Sequence, residues 1–205
     1  MPWGMNRLRL VTPATTVFAH TNRMGVTYYL HEGKTKTGKP RYFFTRAVGP
    51  EALAKMPDGF ELSESINGVV SVRRTNAGAS VVPDEDVKAV ETVVRGHSHL
   101  RGYGVRAVGN AVVIFEPHPR PDELRDFAQR LGNTHRALGF VEERMKKAQY
   151  APVMKFEPEG AGYVAFRMTS RGKGGWSWPL QTGKIRDLAK SLVGSLGTDA
   201  FFELM

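Results

Sequence analysis

Apolar positions along this chain follow two rhythms. Short runs rich in Val, Ile, Tyr and Phe alternate with polar residues, the period of a half-buried strand, while longer stretches repeat at i, i+3, i+4 and i+7, the period of a helix face. The first rhythm predicts a short or edge strand within residues 8–20, around Pro13, and a hairpin from residues 26–31 and 41–46. Residues 50–56 predict one helical turn, and Pro57-Asp58-Gly59 a tight turn. A second hairpin, residues 60–66 and 69–74, flanks Asn67-Gly68, a pair suited to a two-residue type I′ loop with positive φ at both positions. That loop would place Ile66 opposite Val69 and Glu61 opposite Arg74. Residues 75–82 are small and polar and read as a linker.

The helical rhythm takes over at Pro83, where Asp84, Glu85 and Asp86 suit the positive end of a helix dipole and Val87, Val90 and Val94 share a face. A hairpin around Gly109-Asn110 follows. A helix then opens near Pro121, with Leu124, Phe127, Ala128 and Leu131 on one face and Gly132 as its stop. The next helix, residues 134–148, offers Glu142/Lys146 and Glu143/Lys147 at i, i+4 spacing. Residues 150–157, 163–169 and 176–180 read as antiparallel strands. The last helix, residues 184–196, carries an apolar stripe of Ile185, Leu188, Ala189, Leu192, Val193 and Leu196, and the apolar tail AFFELM should dock on the core.

Strands and helices thus come in blocks rather than alternating, which predicts an α+β fold: antiparallel β-hairpins and a C-terminal antiparallel sheet packed against helices. The natural division is an N-terminal hairpin module, residues 1–80, and an α+β module, residues 81–205. No apolar run approaches the length of about 18 residues that spans a bilayer. The N-terminal stretch lacks the apolar segment of a signal peptide, so we expect no membrane partner. The chain has no cysteine, which excludes disulfides, thiolate zinc sites and a thiol nucleophile and suits a reducing cytoplasm.

Charge changes the picture more than composition does. The net charge is +9, and residues 1–50 hold eight Lys and Arg against one acid, Glu32. Such asymmetry speaks of partners rather than fold, and acidic polymers come first. The segment GVTYYLHEGKTKTGKPRYFFTR concentrates it. Lys34, Lys36, Lys39 and Arg41 sit at a hairpin tip, with Tyr42 and Arg46 alongside, where cations can neutralise phosphates and aromatic rings can stack on bases. Arg171 and Lys173, near Trp176 and Trp178, form a second cationic–aromatic group. YYLHEGKTKTGKPRYFF and the ending LGTDAFFELM resemble segments of an uncharacterised bacterial protein family. The resemblance covers less than a fifth of the chain and implies a bacterial cytoplasmic setting, but no activity.

Other chemistry finds less support. Gly33-Lys34-Thr35 invites a P-loop reading, but GxxxxGK[ST] needs a glycine where Tyr28 stands. No serine lies in a GxSxG elbow. His97 and His99, with His118, His135 and nearby Glu116, match no metal-ligand signature, and the first two follow a helix end where imidazoles suit the dipole. Glu157 and Glu159 read as a solvated strand end. We therefore expect no catalytic set, no metal and no cofactor. The expected function is a non-catalytic nucleic-acid-binding or accessory protein whose basic hairpin contacts the phosphates of DNA or RNA. The alternatives are an adaptor for an acidic protein and a metal-dependent phosphoesterase or nuclease built on the histidines.

Overall fold

Strand-forming residues on either side of short glycine turns build a three-stranded antiparallel sheet: Ala19–Thr21 (β1), Thr27–Lys34 (β2) and Pro40–Thr45 (β3), in the order β1-β2-β3. A two-stranded hairpin follows, Phe60–Glu64 (β4) and Val70–Arg74 (β5). The computed structural model of the chain describes residues 16–75, 82–130, 134–169 and 174–203. Most of the edge strand expected over residues 8–20, the linker at 76–81, and the helix stop at Gly132 lie outside them.

One turn design recurs in all three of these hairpins. It occupies Asn22 to Val26, Thr35 to Lys39, and Ser65 to Val69. In each, the first residue's N–H donates to the fifth residue's carbonyl, and the fourth residue's N–H returns to the first carbonyl. The fourth residue is Gly25, Gly38 or Gly68, with φ of 79°, 78° and 70°. The side-chain oxygen of Asn22, Thr35 or Ser65 accepts the N–H of the fifth residue, at 2.9, 3.1 and 3.1 Å. This is a three-residue loop, a type I turn closed by a left-handed glycine. It corrects the type I′ loop expected at Asn67-Gly68, because no residue other than glycine has positive φ among the described residues. The extra loop residue shifts the register by one. Ser65 opposes Val69, and Glu61 therefore faces Arg73, its Oε1 accepting the Arg73 Nε–H at 2.7 Å. Arg74 lies over the Phe60 ring instead.

The helical turn expected over residues 50–56 is absent. Its start closes a turn, the Ala52 N–H donating to the Gly49 carbonyl, and the chain then pairs with the sheet: Ala52 bridges His31, the Leu53 N–H donates to the Leu30 carbonyl, and the Glu32 N–H donates to the Glu51 carbonyl. Strand partners satisfy the backbone groups that an i→i+4 helix would have used.

The chain divides into two compact units, residues 1–63 with 70–75, and residues 64–69 with 76–205. The second unit opens with a helix over Asp84–Gly96 (α1). Next come Gly104–Val108 (β6) and Ala111–His118 (β7), joined by Gly109-Asn110. Helices over Pro121–Arg130 (α2) and Thr134–Lys146 (α3) precede Gln149–Glu159 (β8) and Gly162–Arg167 (β9). Gln181–Gly183 (β10), Ile185–Leu192 (α4) and Ala200–Glu203 (α5) complete it. The five strands pair antiparallel in the order β10-β9-β8-β7-β6. This is the expected α+β architecture.

The third strand of the C-terminal set starts later than expected. Met168 bridges Trp176, whereas Gln181 pairs Ala165, so two more residues separate the latter contacts on one side than on the other. Trp178 and Pro179 take up the difference. Proline has no N–H for a ladder, and the Trp178 ring is pushed out to 90% exposure. On α3, Lys146 pairs with Glu143 at i, i+3, and Glu142 and Lys147 add charge interactions at the expected i, i+4 spacing.

The main core joins the sheet to α1 and α4. Val90 and Val94 of α1 meet Val112, Ile114, Met154, Phe156 and Ala165, and the α4 stripe is buried from Ile185 through Leu196. Phe201 of the tail closes against the same cluster. Tyr163 donates its hydroxyl to Asp86 of α1 at 2.5 Å. A smaller cluster of Leu124, Ala128 and Val141 holds α2 to α3.

Two expected outcomes follow from this core. Leu188→Ala should cost about 2–5 kcal/mol in denaturant unfolding, through lost transfer energy and the cavity left behind; an unchanged midpoint would place the α4 stripe outside the core. Burial, followed by the bond to Asp86 and the nearby Asp86 and Glu85 charges, pushes the Tyr163 hydroxyl up to about 12 from an ordinary 10.0. The folded state thus holds this proton more tightly than the unfolded one. Its contribution to stability is complete below pH 10 and is lost as pH rises toward 12. Tyr163→Phe should remove that step from a titration of stability against alkaline pH.

Candidate nucleic-acid interface

The register of β2 and β3 decides which side chains share a face. Cross-strand pairs run Leu30–Phe44, Glu32–Tyr42 and Lys34–Pro40 on one side, and Tyr29–Thr45, His31–Phe43 and Gly33–Arg41 on the other. The first face packs inward. Leu30 is fully buried, Phe44 meets Phe18 at 6.2 Å, and Tyr42 meets the Phe60 ring edge-on at 4.9 Å. Arg46 lies over Tyr28, 5.9 Å from its centroid.

The second face carries a layered stack. The Arg41 guanidinium sits 5.8 Å from the Phe43 centroid, and Phe43 stacks on His31 at 5.8 Å. His31 is buried and held at both ring nitrogens. Its Nδ1 lies 2.9 Å from the Tyr29 carbonyl, and Nε2 accepts the Gly49 N–H at 3.0 Å. These roles assign the Nδ1–H tautomer, a bonded core imidazole rather than a ligand. The stack gives Arg41 a fixed base at the root of the tip, and Gly33 lets the Phe43 ring approach where a Cβ would stand 3.0 Å from it.

The turn from Thr35 to Lys39 presents the cations. Lys34, Lys36, Lys39, Arg41 and Arg46 are all exposed. Among the described residues none of the five has an ion-pair partner, in contrast to Arg73, Arg95, Arg120, Lys146 and Lys155, each set against a carboxylate. Glu32, on the same strand as Lys34, is the only acid on β2 or β3. Lys34, Lys36, Lys39 and Arg41 therefore cluster at the tip without an ion-pair partner among the described residues, while Arg46 follows Thr45, which pairs Tyr29 at the opposite end of β2. The hairpin's aromatic rings are half-buried rather than open platforms. Arg171 and Lys173 lie outside the described residues.

Beside Trp176, Lys155 carries what the sequence pattern did not reveal. Its Nζ sits 4.7 Å from both the Phe166 and Trp176 ring centroids and donates to Glu157 at 2.5 Å. Register alone links these positions: Lys155 pairs with Phe166, and Trp176 bridges Met168, just past the end of β9. Glu157 is thus a partner of Lys155 rather than a free strand-end charge.

Of the histidines in the phosphoesterase alternative, the His135 side chain lies outside the described residues. His97 and His99 contact each other ring to ring at 5.5 Å beside the end of α1, and His118 Nε2 lies 3.8 Å from Glu116 Oε2. Among the described residues no group of three or more His, Cys, Asp or Glu side chains is arranged to hold a metal ion.

In the sequence Glu116 stands out only as a carboxylate beside His118 in a candidate metal set. It is 4% exposed on β7 and accepts the Tyr103 hydroxyl at 2.9 Å. Burial, then the Glu116 charge and hydrogen bond, push the Tyr103 phenol well above its ordinary value, so it stays a donor. Arg120 donates from Nε to Glu123 at 3.0 Å, with Asp122 at 4.0 Å, and from a terminal nitrogen to the Gly197 carbonyl. Partial burial disfavours the Arg120 charge, but the Glu123 bond and the Asp122, Glu123 and Glu116 carboxylates outweigh it and raise its pKa.

The tip geometry is open to a direct test. Gly38 has φ of 78°, a conformation that a β-branched residue resists, so Gly38→Val should destabilise the hairpin by about 1–3 kcal/mol. Faster amide exchange at Thr35 and Gly38 would report it, and unchanged exchange would place the turn elsewhere. No protein-family model matches the chain, and neither a curated protein nor a solved structure is similar to it.

Proposed function

We propose that the protein is a non-catalytic nucleic-acid-associated factor that grips phosphates through the β2–β3 tip. The observation that carries this reading is the set of four exposed tip cations, Lys34, Lys36, Lys39 and Arg41, with no ion-pair partner among the described residues, joined by exposed Arg46 farther along the hairpin. A cation left without an internal counter-charge keeps its full attraction for an external one, and releasing counterions from a polyanion adds to it. The half-buried rings shape the mode of contact. Tyr42, Phe43 and Tyr28 brace the strands and orient Arg41 and Arg46, so contact is with backbone phosphate rather than stacked bases. Such contact carries no sequence information and predicts dissociation constants of roughly 10⁻⁴–10⁻⁶ M at physiological salt. A cytoplasmic setting agrees with a chain that has no cysteine to oxidise and no helix long and apolar enough to cross a membrane among the described residues.

The test is a salt-titrated binding series against duplex DNA, RNA and an unrelated polyanion. Replacing Lys34, Lys36, Lys39 and Arg41 with alanine should flatten the log–log salt slope by about one unit per lost contact and weaken all nucleic acids alike. An unchanged slope and affinity would remove the hairpin from the interface. Capture of one acidic protein after nuclease treatment, with no binding to nucleic acid, would replace this reading with an adaptor function.

A further inference from the structure

The turn from Ser65 to Val69 belongs to the second unit, and one side chain ties it there. The Asn67 carboxamide pairs with the backbone of Tyr150 near the start of β8. Its Oδ1 accepts the Tyr150 N–H at 2.6 Å, and its Nδ2 donates to the Tyr150 carbonyl at 3.0 Å. The carboxamide thus serves Tyr150 as a neighbouring strand would, with one acceptor and one donor. The turn is packed around this clamp. Gly68 is buried, and the Ile66 side chain fills the space that a Cβ at Gly104 would need.

Asn67 is also the only asparagine of the chain that precedes a glycine. That order carries its own chemistry. The nitrogen of the following residue attacks the asparagine Cγ, the Cγ–Nδ2 bond breaks, and Nδ2 leaves as ammonia with the proton of the attacking nitrogen. Water then opens the cyclic imide at either carbonyl. One opening gives aspartate, the other isoaspartate, with the main chain routed through Cβ and Cγ. Glycine closes the ring most readily, because it has no Cβ to crowd the nitrogen.

The fold engages the groups that this reaction moves. The Gly68 N–H donates to the Ser65 carbonyl at 2.9 Å, so the proton of the nucleophile is held. Nδ2 cannot depart without giving up the Tyr150 carbonyl. Local opening of the turn removes both constraints. The products do not restore them. Aspartate puts an oxygen where Nδ2 stood, acceptor against the Tyr150 carbonyl. Isoaspartate adds a main-chain carbon to a loop whose length sets the β4–β5 register.

We propose that Asn67 is a modification site: its deamidation proceeds from the opened turn, and the product leaves the turn unclamped from Tyr150. The clamp is then a one-way release, slow while closed and spent once it has reacted. It holds whatever the β2–β3 tip binds.

The experiment incubates the full chain in mildly alkaline buffer, native and unfolded in urea, and follows the peptide containing Asn67 by mass and isoaspartate content. Deamidation should be at least about tenfold slower in the native chain, because the clamp and the Gly68 bond must open first. The deamidated chain carries one more negative charge, so ion exchange isolates it. Its Tyr150 amide should exchange with deuterium at least about tenfold faster than in the unmodified chain, while the amides of α1 and β7 keep their protection. Asn67→Asp makes the aspartate product directly and should show the same selective change. Equal deamidation rates in buffer and urea would overturn the proposal. So would unchanged Tyr150 protection in the deamidated chain and in Asn67→Asp, and so would a loss of protection spread through the whole core, which marks general unfolding rather than release of the turn.

Discussion

The hydrogen bond from a turn amide to the side-chain oxygen four residues earlier governs the N-terminal hairpins. Asn22, Thr35 and Ser65 each hold the N–H of the fifth residue, and each turn closes on a left-handed glycine. With loop length set, register is set, and register decides every face. A one-residue slip in β2–β3 would put Arg41 on the inward side with Leu30 and move Phe44 outward. The exposed positive tip, the layered Arg41–Phe43–His31 stack and the inward aromatic contacts are therefore consequences of one local geometry.

In the second unit the governing constraint is burial. The α4 stripe and Val90 and Val94 of α1 need a common apolar surface, and the five-stranded sheet provides it. This explains why β10 begins only at Gln181. Leu180 donates its N–H to Ala165 and resumes the ladder, while Trp178-Pro179 swings clear of it. The sheet thereby delivers the chain to α4 at Ile185, the first residue of the buried stripe.

Periodicity made the helices and most strands legible, because the α4 stripe and Val90 and Val94 of α1 are buried as their spacing implies, with Val87 and Val93 partly buried beside them. Asn67-Gly68 misled for a specific reason. That pair suits a type I′ loop, yet it equally forms the last two positions of a three-residue loop when the residue preceding Ile66 can bond its own turn. Ser65 supplies that oxygen. Residues 50–56 looked helical because local pattern carries no record of a distant strand with unmet backbone groups. The cations of the hairpin tip were legible from sequence, since lysines around a glycine turn have nowhere to go but solvent. Their lack of counter-charges was not, nor was the burial of Glu116, whose surroundings come from Tyr103, β8 and the C-terminal turn. Those contacts join residues far apart in the chain and leave no local signature.

The lysines of the molecule fall into two chemical populations. Lys155 is capped by the Phe166 and Trp176 rings and tied to Glu157, with its side chain 14% exposed. An electrophile that seeks a free amine meets a nitrogen whose approaches are occupied by aromatic carbon and a carboxylate. Lys34, Lys36 and Lys39 stand open on a turn with no such cover. Acylation under limiting reagent would therefore reach the hairpin lysines well before Lys155, and the same amines that attract phosphate would be among those whose charge a covalent acyl mark could erase.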